Sequence, residues 1–324
     1  MEVKDRKMIR IPEEKKVRVI IDTDAACEAD DPFAIVQALL SPKLVVKGIL
    51  AEHFNEKGSV ERSFKEIKTI LDAMKIEVPV FMGLSGPLSE GGEDRETSEA
   101  VDFIVYEALK QDDMPLFILC QGAISNVAAA LRKCPAIKDR LTVVWIGTHG
   151  VEEKAAPFRE FNAGNDITAA NEVLCSGARV WLIPSDVYTT ITVGLAELKL
   201  KVYPRGTIGR HLYENMVEYN MSPGAWWTQG ESWSLGDSPA VAVTINPGCG
   251  HFIEARAPHV NEDTSSAYRP DNPLIRVYTD IDSRYILEDF FAKLALFDEE
   301  NCLPPHVFPA SGNWWQCQQA DPAQ

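Results

Sequence analysis

The stretch IIDTDAACEADDPFAI, from Ile20 to Ile35, decides the fold and gathers acidic residues at one point of the chain. It joins the end of one apolar segment, VRVIIDT at 17–23, to the start of another, FAIVQALL at 33–40. Between and beside them stand five carboxylates: Asp22, Asp24, Glu28, Asp30 and Asp31. Like charges this close raise one another's pKa unless something neutralises them. The stretch therefore predicts either a cation site or a solvated acidic loop.

Composition limits the class of protein and of partner. The chain has 324 residues, of which 45% are apolar, so it can bury a large core. Its formal net charge of -16 argues against nucleic acid or an anionic membrane as the main partner, because both require a basic face. We therefore expect a small-molecule ligand, no nucleic acid and no membrane.

The pattern of apolar segments predicts an α/β fold. VRVIIDT is β-branched and almost continuously apolar, as in a strand covered on both faces, and Pro32 behind Asp30 and Asp31 indicates a helix start. Further strands are predicted at 44–51, 78–82, 115–122, 141–147, 178–184, 251–257 and 274–280. Helices are predicted at 59–74, 98–110, 125–133, 166–175, 208–219, after 237 and at 286–297. This alternation predicts an open, mostly parallel, Rossmann-like sheet flanked by helices.

No linker divides the chain. We therefore predict one large domain over residues 1–300, followed by a Pro- and Trp-rich tail at 301–324 that packs on the body or on a partner subunit. In such sheets the ligand site lies beyond the carboxyl ends of the strands. The segments DTD, HFN, CQGAIS and GTHG each follow a predicted strand, so their polar side chains are expected at one edge.

Two kinds of metal chemistry fit the acidic loop. Hard cations bind carboxylate and carbonyl oxygens, which Asp24 and Asp31 could supply from opposite sides of the loop. An Asp-x-Asp after the first strand also opens phosphoaspartyl phosphatases, with Asp22 as nucleophile and Mg²⁺ as cofactor. The loop alone leaves both open.

Three more segments resemble inosine-uridine-type nucleoside hydrolases. They are CQGAISNVAAAL (120–131), FREFNAGNDITAANEVL (158–174) and GDSPAVAV (236–243), in the order found in that family, and the resemblance covers roughly residues 17–290. The family opens with DxDxGxDDAxA. The resemblance implies the nucleoside hydrolase fold and hydrolysis of the N-glycosidic bond of a ribonucleoside.

The resemblance also implies a calcium site. Asp24 is similar to the aspartate that binds Ca²⁺ and takes a proton from the attacking water. The other implied ligands are the carboxylates of Asp31 and Asp237 and the backbone carbonyl of Gln121. The residues implied to bind ribose are Asp30, Asn55, Glu160 and Asn162. Such hydrolysis passes through an oxocarbenium-like state, which a negative surround stabilises.

This chain departs from the family pattern in the acidic loop, at Gly236 and at Lys154, which stands where the family often has a sugar-binding asparagine. Five residues, 25–29, separate Asp24 from the Asp pair where the family has three, which adds Glu28 as a ligand or a loop charge. Gly236 stands where many members carry a histidine that protonates the leaving base. The candidates for contact with the leaving base are His53 and His149 as acids, and Trp226, Trp227 and Trp233 as stacking residues. The simpler alternatives are structural histidines and tryptophans in the core or a dimer contact.

A non-hydrolytic riboside-binding relative is a second functional hypothesis, favoured by Gly236 and opposed by Asp24. The resemblance implies a homodimer or homotetramer. No apolar segment follows the basic start, and the seven cysteines show no CxxC spacing, so we expect a reduced, cytoplasmic protein.

Overall fold

Eight strands pair into one central sheet in the computed structural model, which describes residues 10–89, 97–152 and 156–302, without the side chains of 299–302. The strand order is β3-β2-β1-β4-β5-β6-β12-β9. Its parallel strands are β1 (Val17–Thr23), β2 (Leu44–Ala51), β3 (Val80–Met82), β4 (Leu116–Cys120), β5 (Thr142–Ile146), β6 (Arg179–Ile183) and β12 (Leu274–Ile281). The edge strand β9 (Gly250–Arg256) pairs antiparallel to β12.

Helices and two small strand pairs complete the architecture. The helices are α1 (Asp31–Leu40), α2 (Ser59–Met74), α3 (Glu99–Leu109), α4 (Ser125–Lys133), α5 (Phe161–Asn165), α6 (Ile167–Cys175), α7 (Ser185–Tyr188), α8 (Leu195–Lys201), α9 (Gly206–Asn220), α10 (Ser238–Ile245) and α11 (Ser283–Cys302). The small pairs are β7 (Thr192–Gly194) with β8 (Ser232–Ser234), and β10 (His259–Val260) with β11 (Ser266–Ala267). None of the helices in the described part of the chain is long and apolar enough to cross a membrane.

Alternation along β1 builds a core on each face of the sheet. Successive side chains of a strand point to opposite faces. Val19 and Ile21 belong to the apolar cluster that includes residues of α1, α2, α9, α10 and α11, whereas Ile20 belongs to the cluster with α3, α4 and α6. The whole of β1 is buried, as its continuous apolar pattern predicts.

The order of the strands locates a crevice. From β1 the chain proceeds outward through β2 and β3, then returns to place β4 on the other side of β1. The chain that follows β1 runs to β2 on one side, whereas the chain that follows β4 runs to β5 on the other side. These two connections diverge and open a cleft at the carboxyl ends of β1 and β4. The acidic loop 24–30 begins at that point.

The predicted fold class is confirmed. Every predicted strand and helix is present, with ends that differ by a few residues. The prediction missed α5, α7, α8 and the two small strand pairs, which are too short to show a period. Helix α11 extends to Cys302, and the tail predicted to pack on the body or a partner lies, from residue 303 onward, outside the described residues.

Gly48 tests how tightly α3 packs on the sheet. A Cβ at Gly48 would lie 2.7 Å from Cε1 of Phe103, whose ring stacks on Phe81 at 4.2 Å between centroids. We expect Gly48→Ala to lower the free energy of unfolding by about 1–3 kcal/mol, as overpacking of a core does. Chemical denaturation measures this. The matched control is Gly86→Ala, where no atom lies within 4 Å of the added Cβ. Equal stability of the two variants would contradict the packing described.

Candidate active site

The acidic loop and the start of α10 enclose a cavity of about 70 Å³ at the crevice. Its lining residues are Asp24, Cys27, Glu28, Asp30, Asp31, Gln121, Ile146, Glu160, Phe161, Asn162, Tyr188, Gly236 and Asp237. The predicted site residues in this set are Asp24, Asp30, Asp31, Gln121, Glu160, Asn162 and Asp237. They come from segments up to 213 residues apart in sequence, 24 to 237, so the fold alone brings them together.

Two helix starts with the same Asp-x-Pro pattern supply the acidic wall. Helix α1 begins after Asp30 and α10 after Asp237, with Pro32 and Pro239 in their first turns. Neither N-cap aspartate accepts a hydrogen bond from its own helix through its side chain. The carboxylate of Asp30 instead accepts from the backbone N–H groups of Gly236 and Asp237 and from the indole of Trp233. The two helix starts are thereby joined.

Three carboxylates of this wall converge. Single oxygens of Asp30, Asp31 and Asp237 all lie within 4.8 Å of one another, and all three residues are buried. Burial raises the pKa of Asp30 to about 6 and, with help from the Asp30 charge, that of Asp31 to about 7. Burial and the neighbouring Asp31 and Asp30 charges raise the pKa of Asp237 well above its ordinary value. A cation at this point would remove that repulsion.

Asp24 and Gln121 add buried polar atoms that have no hydrogen-bond partner among the described residues. Among the described residues, Oδ2 of Asp24 and both polar side-chain atoms of Gln121 are buried without a hydrogen bond. Burial and the charge of Asp31 raise the pKa of Asp24 well above its ordinary value. Buried polar atoms are normally satisfied, so unpaired oxygens beside three carboxylates fit a hard divalent cation. Thr23 orients the group by donating from Oγ1 to Oδ1 of Asp31.

Glu160 and Asn162 form another wall of the cavity. Glu160 is the N-cap of α5, and its carboxylate accepts from the backbone N–H groups of Thr148, Asn162 and Ala163. The Asn162 amide donates from Nδ2 to the Ile146 carbonyl at 2.9 Å and, more weakly, to the Gln121 carbonyl at 3.5 Å. These bonds fix both side chains relative to the ends of β4 and β5.

Tyr188 is a cavity residue that the sequence interpretation missed. It ends α7, which follows β6, and its hydroxyl donates to Oε1 of Glu160 at 2.9 Å. A Cβ at Gly236 would lie 3.1 Å from Cδ2 of Tyr188 and 3.3 Å from Oδ2 of Asp30. The tyrosine ring therefore occupies the space that a side chain at 236 would need. The sequence does carry a signal for Tyr188, because this residue follows the carboxyl end of the predicted strand at 178–184, where ligand sites lie in such sheets.

The insertion in the acidic loop reaches the cavity. Cys27 and Glu28, both from the segment that lengthens this loop, line the cavity. Burial and the charges of Asp30, Asp31 and Glu160 raise the pKa of Glu28 well above its ordinary value. Glu28 is half-buried and lines the cavity beside the predicted ligands.

His53 lies outside the set of lining residues, in a buried network behind the cavity. Its Nδ1 accepts from the backbone N–H of Asn55 at 3.1 Å, so Nε2 carries the hydrogen and donates to Ser125 Oγ at 2.8 Å. Ser125 in turn donates to Asp166 at 2.6 Å. Burial lowers the pKa of His53 to about 4, so the ring is neutral and both nitrogens are engaged. This placement corresponds to the structural alternative for His53.

Asp22 belongs to the same network. Its Oδ1 accepts from Nδ2 of Asn126 at 2.9 Å, and burial raises the pKa of Asp22 to about 7 while Glu52 shares a hydrogen bond with it. Asp22 is not a lining residue of the cavity. The phosphatase alternative requires it as an exposed nucleophile, and the structure gives no support for that role.

The remaining sequence candidates also lie outside the lining set. His149 bridges the Ser185 hydroxyl and the Phe158 carbonyl at 2.7 and 2.8 Å, which engages both ring nitrogens. Asn55 has a left-handed backbone with φ of 54° and is exposed.

The three tryptophans form a chain of ring contacts that leads away from the cavity. Trp226 is 83% exposed and Trp227 is 45% exposed, with ring centroids 6.0 Å apart, and Trp227 in turn contacts the buried Trp233 at 6.2 Å. Trp233 reaches the site by donating to Asp30.

Comparison with known proteins gives one consistent result. Residues 19–287 match the family model of the inosine-uridine preferring nucleoside hydrolases. The pyrimidine-specific ribonucleoside hydrolase RihB of Escherichia coli (strain SE11) is 25% identical over 280 residues, which cover 78% of this chain and 85% of the relative.

Solved structures share the fold. A purine-preferring ribonucleoside hydrolase from Gardnerella vaginalis superposes with a TM-score of 0.73 at 22% identity, covering 87% of this chain and 99% of that one. An inosine-uridine preferring nucleoside hydrolase from Bacillus anthracis superposes with a TM-score of 0.65 at 14% identity, covering 86% and 99%. The family match spans most of the chain. The protein therefore belongs to the inosine-uridine preferring nucleoside hydrolase family and is a hydrolase of the N-glycosyl bonds of ribonucleosides.

Proposed function

We propose that the cavity hydrolyses the N-glycosidic bond of a ribonucleoside, releasing nucleobase and ribose, with Asp24 as the base that takes a proton from water. The observation that carries this proposal is the buried Asp24 carboxylate, whose Oδ2 has no partner among the described residues and which shares one cavity with Glu160 and Asn162. A base must have a free acceptor atom beside the bound substrate. Asp24 meets that requirement.

The proposed cofactor is Ca²⁺, held by Asp24, Asp31, Asp237 and Gln121, with Asp30 close to the same point. A divalent cation supplies charge neutralisation and a lower pKa for a bound water when it is present. The carboxylate oxygens and the backbone carbonyl oxygen of Gln121 are hard ligands, of which Ca²⁺ takes six to eight. The unpaired side-chain oxygen of Gln121 is a further oxygen of the lining.

The sugar is proposed to lie between the acidic wall and the Glu160 wall. Asp30, Glu160 and Asn162 are the predicted ribose-binding residues that line the cavity, and Asn55 is the predicted one that does not. The oxocarbenium-like state carries positive charge, which the surrounding carboxylates stabilise without reorganisation. Hydrogen bonds to sugar hydroxyls hold the anomeric carbon against the water.

We propose Phe161 as the contact for the leaving base, because Trp226, Trp227 and Trp233 are not among the lining residues of the cavity. Phe161 lines the cavity and is 44% exposed, so its ring offers a stacking face at the opening. The relatives act on purines or on pyrimidines by their names, so both base classes are candidates here. Gly236 keeps the binding-only relative as a second candidate, because it removes the side chain that in many members protonates the base.

We further propose a cytoplasmic homodimer or homotetramer. The five cysteines whose side chains are described are free thiols, which suits a reducing compartment. The edge strand β9 exposes Phe252 and Ile253, with Leu274 beside it on β12, at 41%, 47% and 56%. Phe252 and Ile253 point to opposite faces of the sheet and Leu274 pairs with Arg256, so what supports an interface here is the exposed sheet edge itself, which can pair with another copy of the chain.

Release of ribose tests the reaction directly. We expect the purified protein to release reducing sugar from at least one of inosine, guanosine, adenosine, uridine and cytidine, and a calcium chelator to suppress the release. High-performance chromatography of the free base checks the stoichiometry. Binding of these nucleosides without release of base or ribose would favour the non-hydrolytic relative.

Asp24→Asn tests the proposed base. The substitution keeps the size of the side chain and removes its basicity, so we expect turnover to fall by at least about 100-fold, within the range of general base catalysis. The matched control is Asp271→Asn, an exposed position, which should keep wild-type turnover. Turnover of Asp24→Asn within a factor of about three of wild type would contradict the role of Asp24 as the general base.

Removal and return of metal test the cofactor without measuring activity. Binding at a concentration of 100 times Kd stabilises a fold by about 2.7 kcal/mol, so we expect Ca²⁺ to raise the melting temperature of chelated protein by several degrees. Mg²⁺ should do less, because it demands a regular octahedron at shorter distances. Asp237→Asn should reduce the shift, while Asp271→Asn keeps it. A shift that is equal in the two variants, or absent in wild type, argues against this site.

A further inference from the structure

The hydrogen bonds around Glu160 leave its carboxylate without a free acceptor position. Oε2 accepts from the backbone N–H groups of Thr148 at 2.9 Å and Ala163 at 2.8 Å. Oε1 accepts from the backbone N–H of Asn162 at 3.3 Å and from the Tyr188 hydroxyl at 2.9 Å. A carboxylate has about four acceptor sites, two on each oxygen. All four are in use before any substrate arrives.

Three of these four donors are backbone groups that cannot leave without breaking the fold. The N–H groups of Asn162 and Ala163 belong to the first turn of α5, and Glu160 is the N-cap that accepts from them. Thr148 has a left-handed backbone with φ of 62° at the end of β5, held by the Glu160 carboxylate. Only the Tyr188 hydroxyl belongs to a side chain.

Tyr188 is held in place by its surroundings. Its backbone N–H donates to the Pro184 carbonyl at 2.9 Å, and its carbonyl accepts from the Ser234 hydroxyl at 3.1 Å. Its ring occupies the space beside Gly236 and next to Asp30 that a Cβ at position 236 would enter. A sugar hydroxyl would have to move this packed ring in order to reach Oε1 of Glu160.

The phenol oxygen itself is the acceptor that remains. Its single hydrogen lies on Glu160, and no donor among the described residues contributes a hydrogen bond to the phenol oxygen. A tyrosine oxygen can accept while it donates. Donation to a carboxylate polarises the phenol and makes its oxygen a better acceptor, as in other chains of hydrogen bonds. Tyr188 and Glu160 both line the cavity, so the bond between them lies at the cavity wall.

We propose that the phenol oxygen of Tyr188, instead of the carboxylate of Glu160, accepts the hydrogen bond of one sugar hydroxyl, and that Glu160 is the positioning residue that orients it. This inference rests on the proposed function and changes which residue reads the sugar. Tyr188 becomes a substrate-binding and specificity-determining residue.

The test pairs the removal of one phenol oxygen with the removal of one sugar hydroxyl. Calorimetry measures binding of adenosine and of its 2'-, 3'- and 5'-deoxy forms to Asp24→Asn protein, in which hydrolysis is suppressed, with and without Tyr188→Phe. We expect one deoxy form to bind about 10-fold more weakly than adenosine when Tyr188 is present. Tyr188→Phe should lower the affinity for adenosine by a similar factor, leave that deoxy form unchanged, and so abolish the discrimination.

Two controls separate this role from a structural one. Tyr203→Phe removes a phenol oxygen outside the cavity and should retain the discrimination. Melting temperatures of all variants report on folding. Tyr188→Phe also keeps the ring that packs beside Gly236.

Each other result overturns the inference. Tighter binding of adenosine to Tyr188→Phe, with the discrimination kept, would show that Glu160 takes the hydroxyl once Tyr188 releases it. An equal loss for adenosine and all three deoxy forms would show that Tyr188 only shapes the cavity. If Asp24→Asn protein with Tyr188 present binds adenosine and its three deoxy forms equally well, no sugar hydroxyl makes the proposed hydrogen bond. If neither adenosine nor uridine binds, both the proposed function and this inference are refuted. If the wild-type protein binds a nucleoside without turnover, only the proposed hydrolysis is refuted.

Discussion

The convergence of three buried carboxylates is the constraint on which the rest of the site depends. Asp30, Asp31 and Asp237 approach within 4.8 Å although burial and mutual repulsion both oppose their charges. Two features of the fold offset this cost. The N-termini of α1 and α10 meet here and carry partial positive charge, and the backbone N–H groups of Gly236 and Asp237 point at Asp30. The strand reversal beside β1 creates the crevice in which the two helices can begin side by side.

Gly236 and Tyr188 follow from the same constraint. The N–H of Gly236 must approach Asp30 closely, and a side chain there would lie 3.3 Å from the carboxylate oxygen of Asp30 and 3.1 Å from the Tyr188 ring. The loss of a side chain at 236 and the presence of an aromatic ring at 188 are therefore one packing solution. That solution also places a hydroxyl group on Glu160 across the cavity. The departure from the family pattern at one position is thus explained by a residue 48 positions earlier.

The sequence was sufficient for the sheet and for most of the acidic wall, because both depend on local patterns. The apolar run of β1 and the start of α1 at Pro32 placed Asp24 and Asp31 at the carboxyl end of a strand, whereas Asp237 was assigned to the same site by the resemblance to the family. Contacts between distant segments could not be read in this way. His53 pairs with Ser125 and, through it, with Asp166, so a histidine at a strand end became a neutral structural residue. Tyr188 lies on a helix of only four residues, which has no detectable period.

The balance of charge in the cavity connects this architecture with the proposed reaction. Six of the thirteen lining residues are carboxylates, namely Asp24, Glu28, Asp30, Asp31, Glu160 and Asp237, and none of the thirteen is lysine or arginine. One divalent cation compensates at most two of these charges. Backbone N–H groups stabilise Asp30 and Glu160, but the cavity as a whole keeps a negative potential. Fixed negative groups around a bound sugar stabilise positive charge that develops on it, and they need no reorganisation to do so. The lengthened loop adds the carboxyl group of Glu28 to this lining, so the insertion changes the composition of the cavity wall and not only the length of the loop.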